Sequence, residues 1–125
     1  MRLLLDTHVL IWVFSRDSQL SEAAAEAIRD GDNQVFVSAV TAWEISIKKA
    51  LGKLLVPGNY QEGLRRYRFT SLSITTEHAL AVEQLPPHHK DPFDRMLIAQ
   101  AQIENLTLIS HDPKMKAYGI PILAT

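Results

Sequence analysis

The sequence contains no cysteine, and this absence excludes disulfide bonds, thiolate zinc sites and cysteine nucleophiles. It also lacks any apolar run close to the roughly 20 residues that a membrane-spanning helix needs. The apolar start from Met1 to Phe14 is interrupted by Asp6 and His8, so we interpret it as a buried strand that enters a helix, and not as a signal peptide. These absences predict a soluble protein, and the reducing cytoplasm is its expected location.

A strong net charge is absent as well, because 13 basic and 14 acidic residues leave a formal charge of −1. This balance excludes a uniformly basic nucleic-acid-binding protein. The charges are nevertheless uneven. Between residues 48 and 68, six basic residues stand against one acid, so that segment carries +5 and the remainder of the chain −6. The segment is either a solvated surface or a contact surface for phosphates. Its basic residues are Lys48, Lys49, Lys53, Arg65, Arg66 and Arg68.

The 125 residues have the length of one domain, which we expect to span 1–125 and to bury roughly two thirds of its unfolded surface. Short apolar runs alternate with helical patterns, and this alternation predicts an α/β fold. The predicted strands cover residues 2–5, 35–37, 72–74, 106–110 and 120–123. Pro121 would place the last strand at a sheet edge. The predicted helices cover residues 22–29, 38–51, 59–69, 76–85 and 92–105, and a short turn is expected at 112–114.

Several residues suit the ends of these helices. Ser38 is a suitable N-cap, and Gly52 can end the same helix in the left-handed conformation. In the last helix, Asp91 suits the N-cap, Pro92 the first helical position and Asp94 the third. The chain therefore carries its own start and stop signals.

One acid occupies a position where an apolar residue is expected. On a helix over residues 38–51, Glu44 falls on the apolar stripe with Val40, Ile47 and Leu51. A carboxylate turned toward the core loses hydration, and it is tolerated only when hydrogen bonds or a cation compensate it. Glu44 is therefore a candidate site residue.

Three aspartates share a related position. Asp6 follows the first predicted strand, Asp112 follows the fourth, and Asp94 lies in the first turn of a helix. Ligands of α/β proteins bind beyond the carboxyl ends of the strands, so these acids and Glu44 are expected to converge. Mg²⁺ or Mn²⁺ would relieve their repulsion and leave positions open for a phosphate. Taken singly, each aspartate could instead be a helix cap, a dipole partner or a turn residue.

The histidines do not show the spacing of a zinc-binding helix. We expect all five, His8, His78, His88, His89 and His111, to be solvent-exposed, with His111 a possible neighbour of the acids. The aromatic residues Trp12, Phe14 and Trp43 are expected in the core or in a subunit interface, and not as base-stacking platforms.

Four segments resemble motifs of the PIN-domain family in order and in spacing, and the resemblance covers essentially the whole chain. They are Leu4-Leu5-Asp6-Thr7-His8, residues 38–45 around Trp43-Glu44, residues 91–101 beginning Asp91-Pro92-Phe93-Asp94-Arg95, and Leu108-Ile109-Ser110-His111-Asp112. More narrowly, the chain resembles the VapC-type toxins of toxin-antitoxin pairs. The resemblance implies a three-layer α/β/α sandwich with a mostly parallel sheet, and Mg²⁺- or Mn²⁺-dependent ribonuclease activity.

The resemblance also implies roles for single residues. Asp6, Asp94 and Asp112 would hold one or two metal ions, and Glu44 would complete the catalytic site. Thr7, Ser110 and Asp91 would support these acids. An RNA substrate, a cognate antitoxin protein and a homodimer are the expected partners, and no membrane is expected.

Alternatives remain open at this point. A receiver-like phosphoacceptor domain has a similar length. It requires adjacent acids early in the chain and a lysine after a later strand, whereas here Asp6 is followed by Thr7-His8 and residues 106–110 end without a lysine. A phosphatase of the haloacid type requires the motif Asp-x-Asp, and here His8 occupies the position of the second aspartate. A catalytically inactive PIN-like interaction module would keep the fold without the chemistry.

Overall fold

The computed structural model describes residues 1–56 and 58–125, and its elements alternate as in an α/β protein. Within these residues, five strands form one sheet with parallel pairings throughout. The strands are β1 (Arg2–Leu5), β2 (Gln34–Ser38), β3 (Thr70–Leu72), β4 (Thr107–Ser110) and β5 (Ile122–Ala124). The helices are α1 (Thr7–Ser15), α2 (Glu22–Arg29), α3 (Ala39–Ala50), α4 (Tyr60–Arg66), α5 (Thr76–Ala81) and α6 (Pro92–Glu104). Two 3-10 helices span Val82–Gln84 and Pro113–Tyr118.

The sheet is covered by helices on both faces. Along β1, Leu3 and Leu5 point to a core formed with α1, α2 and α4, whereas Leu4 points to a second core formed with α6. Helix α3 serves both cores, because Val40 packs in one and Ile45 in the other. A strand that is buried on both faces must be apolar throughout, as Leu3-Leu4-Leu5 is. The three-layer α/β/α prediction is confirmed.

The strand order places β1 at the centre of the sheet. The order is β3-β2-β1-β4-β5, so β2 and β4 flank β1. Receiver-like domains have the order 2-1-3-4-5, and the receiver alternative is therefore set aside. Strand β5 lies at an edge directly after Pro121, as predicted from the proline.

The predicted caps of α3 and α6 are confirmed. The Ser38 hydroxyl accepts a hydrogen bond from the Val40 N–H at 3.0 Å, and Gly52 takes a left-handed φ of 69° after α3. The Asp91 carboxylate caps α6 by accepting from the N–H groups of Phe93 at 2.8 Å and Asp94 at 3.1 Å. The Asp91 cap fixes the backbone at Asp94, and the Ser38 cap fixes the start of the helix that carries Glu44.

Several predicted boundaries were wrong. Strand β3 ends at Leu72 and not at residue 74, because Thr75 and His78 form a reciprocal capping box that commits the chain to α5. Helix α4 ends at Arg66, since Arg68 adopts a left-handed φ of 59°. The helix predicted over 76–85 becomes 3-10 after Ala81, where Arg95 binds backbone carbonyls. The turn expected at 112–114 is the start of a 3-10 helix.

The apolar stripe of α3 is shorter than predicted. Leu51 is 62% exposed, because α3 ends at Ala50 and the chain turns away from the helix axis. Glu44 is only 3% exposed, as its position on the stripe predicted. In the described part of the chain, no helix has the length and apolar character needed to cross a membrane.

Candidate active site

The four predicted acids lie at one edge of the sheet. Asp6 directly follows β1, and Asp112 follows β4 by two residues. Glu44 lies in the second turn of α3, the helix that leaves β2, and Asp94 is the third residue of α6. Because β2, β1 and β4 are neighbours and run parallel, their carboxyl ends meet at this edge. The sheet order thus brings together acids that are up to 106 positions apart in the sequence, from Asp6 to Asp112.

The electrostatics of Asp94 indicate how close the acids are. Its pKa is raised from 3.8 to about 7, first by burial and then by the negative charges of Asp91, Asp6, Glu44 and Asp112, in that order. A carboxyl group that titrates near neutrality does so because its ionised form is poorly solvated and faces like charges. Without a bound cation, the negative charges of the cluster are therefore not fully balanced.

Asp6 is buried and fixed by hydrogen bonds from neighbouring groups. Its carboxylate caps α1 by accepting from the Val9 N–H at 2.9 Å, and it also hydrogen-bonds the Ser110 side chain. The residue is 5% exposed, and burial raises its pKa while these hydrogen bonds oppose the rise. The cap alternative and the site prediction are both compatible with this geometry, because only one carboxylate oxygen is used for the cap.

Glu44 is compensated by two contacts. The Thr7 hydroxyl donates to Oε1 at 2.6 Å, and the Lys48 ammonium donates to Oε2 at 2.5 Å from the next turn of α3. The pKa of Lys48 is raised, mainly by this hydrogen bond to Glu44. A buried carboxylate on an apolar stripe is thus tolerated because a hydroxyl and a cation satisfy it.

Asp112 is fixed by the turn that follows β4. Its backbone N–H donates to the Ser110 hydroxyl at 3.1 Å, and its carboxylate accepts from the Lys114 N–H at 2.9 Å. Ser110 therefore contacts both Asp6 and Asp112, and Thr7 contacts Glu44. These are the two small hydroxyl residues that were predicted to support the acids.

The expectation that the histidines are exposed was wrong for two of them. His78 is 1% exposed, and its Nε2 lies 2.8 Å from the Glu104 carboxylate, where α5 packs against α6. The side chain of His89 is 6% exposed, and its Nε2 lies 3.7 Å from Asp94 Oδ2. His111 is exposed, and its Nδ1 lies 2.8 Å from the backbone oxygen of Thr125. The sequence contained no signal that His89 is buried, because the loop before α6 has no helical or strand periodicity from which burial can be predicted.

Arg95 is a further residue to which the sequence assigned no role. Its guanidinium donates to the carbonyls of Pro86, Val82 and Leu85 at distances of 2.9 to 3.1 Å. These bonds tie α6 to the loop that carries His89 and Asp91. Arg95 thereby positions the segment beside the acids without facing them.

The six basic residues do not form one patch at the acids. Lys48 is bound to Glu44, and Lys49 and Lys53 are exposed near the end of the same helix. Arg68 precedes β3, so it lies at the edge where the strands begin, opposite the acids. Arg65 and Arg66 are exposed at the end of α4, just before Arg68.

The aromatic residues divide between core and surface. Trp12 is buried in α1 with its ring 5.2 Å from that of His111, and Phe14 is partly buried against Tyr67. Trp43 is 58% exposed and packs edge-on against Phe93 at 5.2 Å. Trp43 therefore presents apolar surface one residue before Glu44.

The donor set fits a divalent cation. Among the described residues, His89, Asp94 and Asp112 offer ligand atoms that all lie within 4.8 Å of one another, whereas Asp6 and Glu44 fall outside this tightest group. The raised pKa of Asp94 is what a cation would reverse. Carboxylate oxygens are the ligands that Mg²⁺ and Mn²⁺ favour.

Comparison with known proteins gives one family. A model described as "PIN domain" matches residues 3–121. A comparison with curated protein sequences returned no match.

Several solved structures with the same fold come from toxin-antitoxin complexes. The chain is similar to one in VapBC2 from Rickettsia felis bound to a DNA fragment from their promoter, with a TM-score of 0.73, 15% identity, and coverage of 99% of this chain and 98% of that one. It is similar to one in a toxin-antitoxin complex from Klebsiella pneumoniae, with a TM-score of 0.65, 26% identity, and coverage of 98% and 96%. It is also similar to one in VapBC-5 from Mycobacterium tuberculosis, with a TM-score of 0.63, 19% identity, and coverage of 99% and 98%.

Proposed function

The chain belongs to the PIN-domain family, and from that membership we propose that it is a metal-dependent endoribonuclease that acts as the toxin of a toxin-antitoxin pair. We assign this activity to residues 1–125 as a single domain. The observation that carries the proposal is the crowding of acids around Asp94, whose pKa of about 7 reflects burial beside four other carboxylates. Perturbed acids of this kind cluster at functional sites, and here they stand where α/β folds bind ligands.

We assign the cation to Asp6, Asp94 and Asp112, with Glu44 completing the site, and Mg²⁺ or Mn²⁺ as the metal. When bound, the cation supplies Lewis-acid stabilisation of the phosphodiester charge and activates water for hydrolysis. Each acid is already positioned by the protein: Asp6 by the α1 cap, Asp94 by the capped start of α6, and Asp112 by the turn after β4. Little reorganisation is then needed at the moment of reaction.

The neighbouring polar residues hold protons and charges in place. Thr7 donates to Glu44 and so fixes one oxygen of that carboxylate. Lys48 binds the other oxygen and places a positive charge beside the acids, where a phosphate would approach. Ser110 links the backbone after β4 to Asp6. In this arrangement Glu44 and Lys48 act together as a neutral pair, and a substrate phosphate would compete with Glu44 for the ammonium.

RNA is the proposed substrate, and single-stranded segments are favoured because their bases are accessible. Lys49 and Lys53 extend the positive charge away from Lys48 along one side of the molecule. They are the basic residues that we assign to phosphate contacts near the site. Arg65, Arg66 and Arg68 would contact RNA only if the strand passed to the opposite edge of the sheet. An RNA substrate implies action in the cytoplasm.

A cognate antitoxin is the proposed protein partner, as in the toxin-antitoxin complexes to which the chain is similar. The ion pair between Lys48 and Glu44 supports a site in which a cationic side chain lies beside the acids. An antitoxin could therefore inhibit by placing an arginine or lysine beside the acids, or by covering the pocket with an apolar segment. The exposed ring of Trp43 offers apolar surface beside that pocket. A small overlapping upstream gene would support this partner.

A homodimer is also proposed. Exposed apolar side chains such as Leu55, which is 94% exposed, and Leu51 are the surface it would use. Light scattering at micromolar concentration measures the mass directly. A strictly monomeric species at that concentration would contradict the dimer and leave the nuclease proposal unaffected.

The nuclease proposal is tested by inducible expression of the wild-type protein beside Asp6→Asn, with RNA ends mapped by sequencing. Asp32→Asn is the matched control, because Asp32 is an exposed aspartate at the edge where β2 begins. We expect growth arrest and new RNA ends with the wild type and with the control, and neither with Asp6→Asn. If purified wild type with Mg²⁺ or Mn²⁺ produces no RNA ends, the inactive interaction module becomes the better description.

A further inference from the structure

The imidazole of His89 is buried beside the acids, and among the described residues only one of its two ring nitrogens has a hydrogen-bond partner. Its side chain is 6% exposed, and Nε2 has no hydrogen-bond partner within the residues that the structure describes. Asp94 Oδ2 is 3.7 Å away, which is too far for a hydrogen bond. A buried ring nitrogen left unsatisfied costs about 1–3 kcal/mol, so its retention at this position needs a reason.

The other ring nitrogen is fixed in place. His89 Nδ1 lies 2.8 Å from the Tyr118 hydroxyl, and the backbone N–H of His89 donates to the same oxygen at 3.2 Å. Arg95 approaches this hydroxyl as well, at 3.4 Å. The ring proton can sit on either nitrogen, because the Tyr118 hydroxyl can donate to Nδ1 or accept from it. In the tautomer with the proton on Nδ1, Nδ1–H donates a hydrogen bond to Tyr118, and the Nε2 lone pair faces Asp94 and is free to bind a cation. Metal-binding histidines usually have this arrangement, with the second nitrogen donating to an oxygen.

We propose that His89 Nε2 is a nitrogen ligand of the divalent cation, together with Asp94 and Asp112, and that the site therefore prefers a transition-metal ion to Mg²⁺. The three ligand atoms lie within 4.8 Å of one another. Ligands of one octahedral ion stand about 3 Å apart when adjacent and about 4 Å apart when opposite, so small side-chain rotations are sufficient. The inference rests on the proposed metal-dependent function, because it concerns the same cation.

The preference follows from ligand chemistry. Mg²⁺ takes oxygen ligands almost exclusively, whereas imidazole nitrogen binds transition metals well. An imidazole in the site thus adds affinity for Mn²⁺ and for the later first-row transition-metal ions, and adds little for Mg²⁺. Neutral imidazole also reduces the number of negative charges gathered around the ion.

The test uses Mn²⁺ as the probe, because its electron spin reports directly bound nitrogen. The full-length protein is loaded with Mn²⁺ and studied by pulsed electron paramagnetic resonance, with natural-abundance and ¹⁵N-labelled histidine. We expect a nitrogen coupling that changes with the label in the wild type and disappears in His89→Gln. His88→Gln is the matched control, since His88 also packs against Tyr118, at 4.8 Å, but is exposed.

Calorimetric titration supplies a second readout. His89→Gln should weaken Mn²⁺ binding by about tenfold and leave Mg²⁺ binding within about twofold, and Tyr118→Phe should weaken Mn²⁺ binding less. Equal losses for both ions, or a nitrogen coupling that persists in His89→Gln, overturn the assignment. If His89→Gln does not fold, variants of the exposed His8, His88 and His111 replace it: retention of the coupling in all three supports His89, and its loss in any one of them overturns the assignment.

The outcomes separate this inference from the nuclease proposal. Mn²⁺ binding without nitrogen coupling, in a protein that cleaves RNA, overturns the His89 ligand and leaves the function standing. Nitrogen coupling from His89 in a protein that never cleaves RNA supports the ligand and contradicts the function.

Discussion

Replacing Asp94 with asparagine should stabilise the metal-free protein at pH 8. The pKa of Asp94 is raised from 3.8 to about 7, because burial and the surrounding carboxylates oppose its ionisation. The folded state therefore binds a proton that the unfolded state releases between these two values. Stability from this group is greatest at low pH, falls as the pH rises from about 4 to 7, and is lost above pH 7.

The magnitude follows from the same interval. The rise in pKa from 3.8 to about 7 lowers the free energy of unfolding at pH 8 by at most about 4 kcal/mol. Because 23% of the side chain is exposed, solvent screening lowers this value, and a gain of about 1–3 kcal/mol is expected. For a domain of this size, each kcal/mol raises the melting temperature by roughly 3–6 °C.

The assay is thermal and urea unfolding in chelator at pH 8 and near pH 4, for wild type, Asp94→Asn and the exposed control Asp32→Asn. The gain of Asp94→Asn should shrink steadily toward pH 4, where Asp94 is protonated in the folded wild type. Saturating Mn²⁺ or Mg²⁺ should reverse the order, because only the wild type keeps this ligand. Equal stability of the two proteins at pH 8 without metal would refute the reasoning about the acid cluster.

Three further predictions concern single contacts. Glu44→Gln should abolish RNA cleavage with little change in urea unfolding, since the amide keeps the shape and can still accept from a hydroxyl; normal cleavage by this variant would make Glu44 structural. Arg95→Lys should lower the free energy of unfolding by about 2–4 kcal/mol, because an ammonium cannot reach several carbonyls at once, and a change below about 0.5 kcal/mol in denaturant titrations would contradict this. Replacing Lys49 and Lys53 with alanine should reduce the slope of log affinity for single-stranded RNA against log salt by about 1.4, whereas Arg68→Ala should leave it unchanged; an unaltered slope in the double variant would assign these lysines to a solvated surface.

The sequence was informative wherever a rule is local. The caps at Ser38 and Asp91, the left-handed Gly52 and the edge position next to Pro121 each depend on a few neighbouring residues, and all four are present in the structure. The burial of Glu44 followed from helical periodicity over one helix. These predictions required no knowledge of what packs where.

One error missed a local signal, because strand β3 ends early at the capping box of Thr75 and His78. Other errors arose where distant segments decide the local conformation: the helix after Thr76 becomes 3-10 where Arg95 of α6 binds its carbonyls. His89 is buried because it packs against Tyr118, 29 residues later in the sequence, and hydrogen-bonds its hydroxyl. No pattern within a short window contains that information.

By itself, the sequence determined the α/β alternation, the helix caps and four candidate acids: three aspartates that follow strands or open a helix, and Glu44 on an apolar stripe. Only the tertiary structure decided that β2, β1 and β4 are neighbours, and hence that Asp6, Glu44 and Asp112 lie around Asp94. It alone placed His89 among them and separated Arg68 from them. The physical reason is that capping and periodicity act within one or two turns of chain, whereas charge repulsion, burial and ligand geometry depend on distances that the sheet order sets.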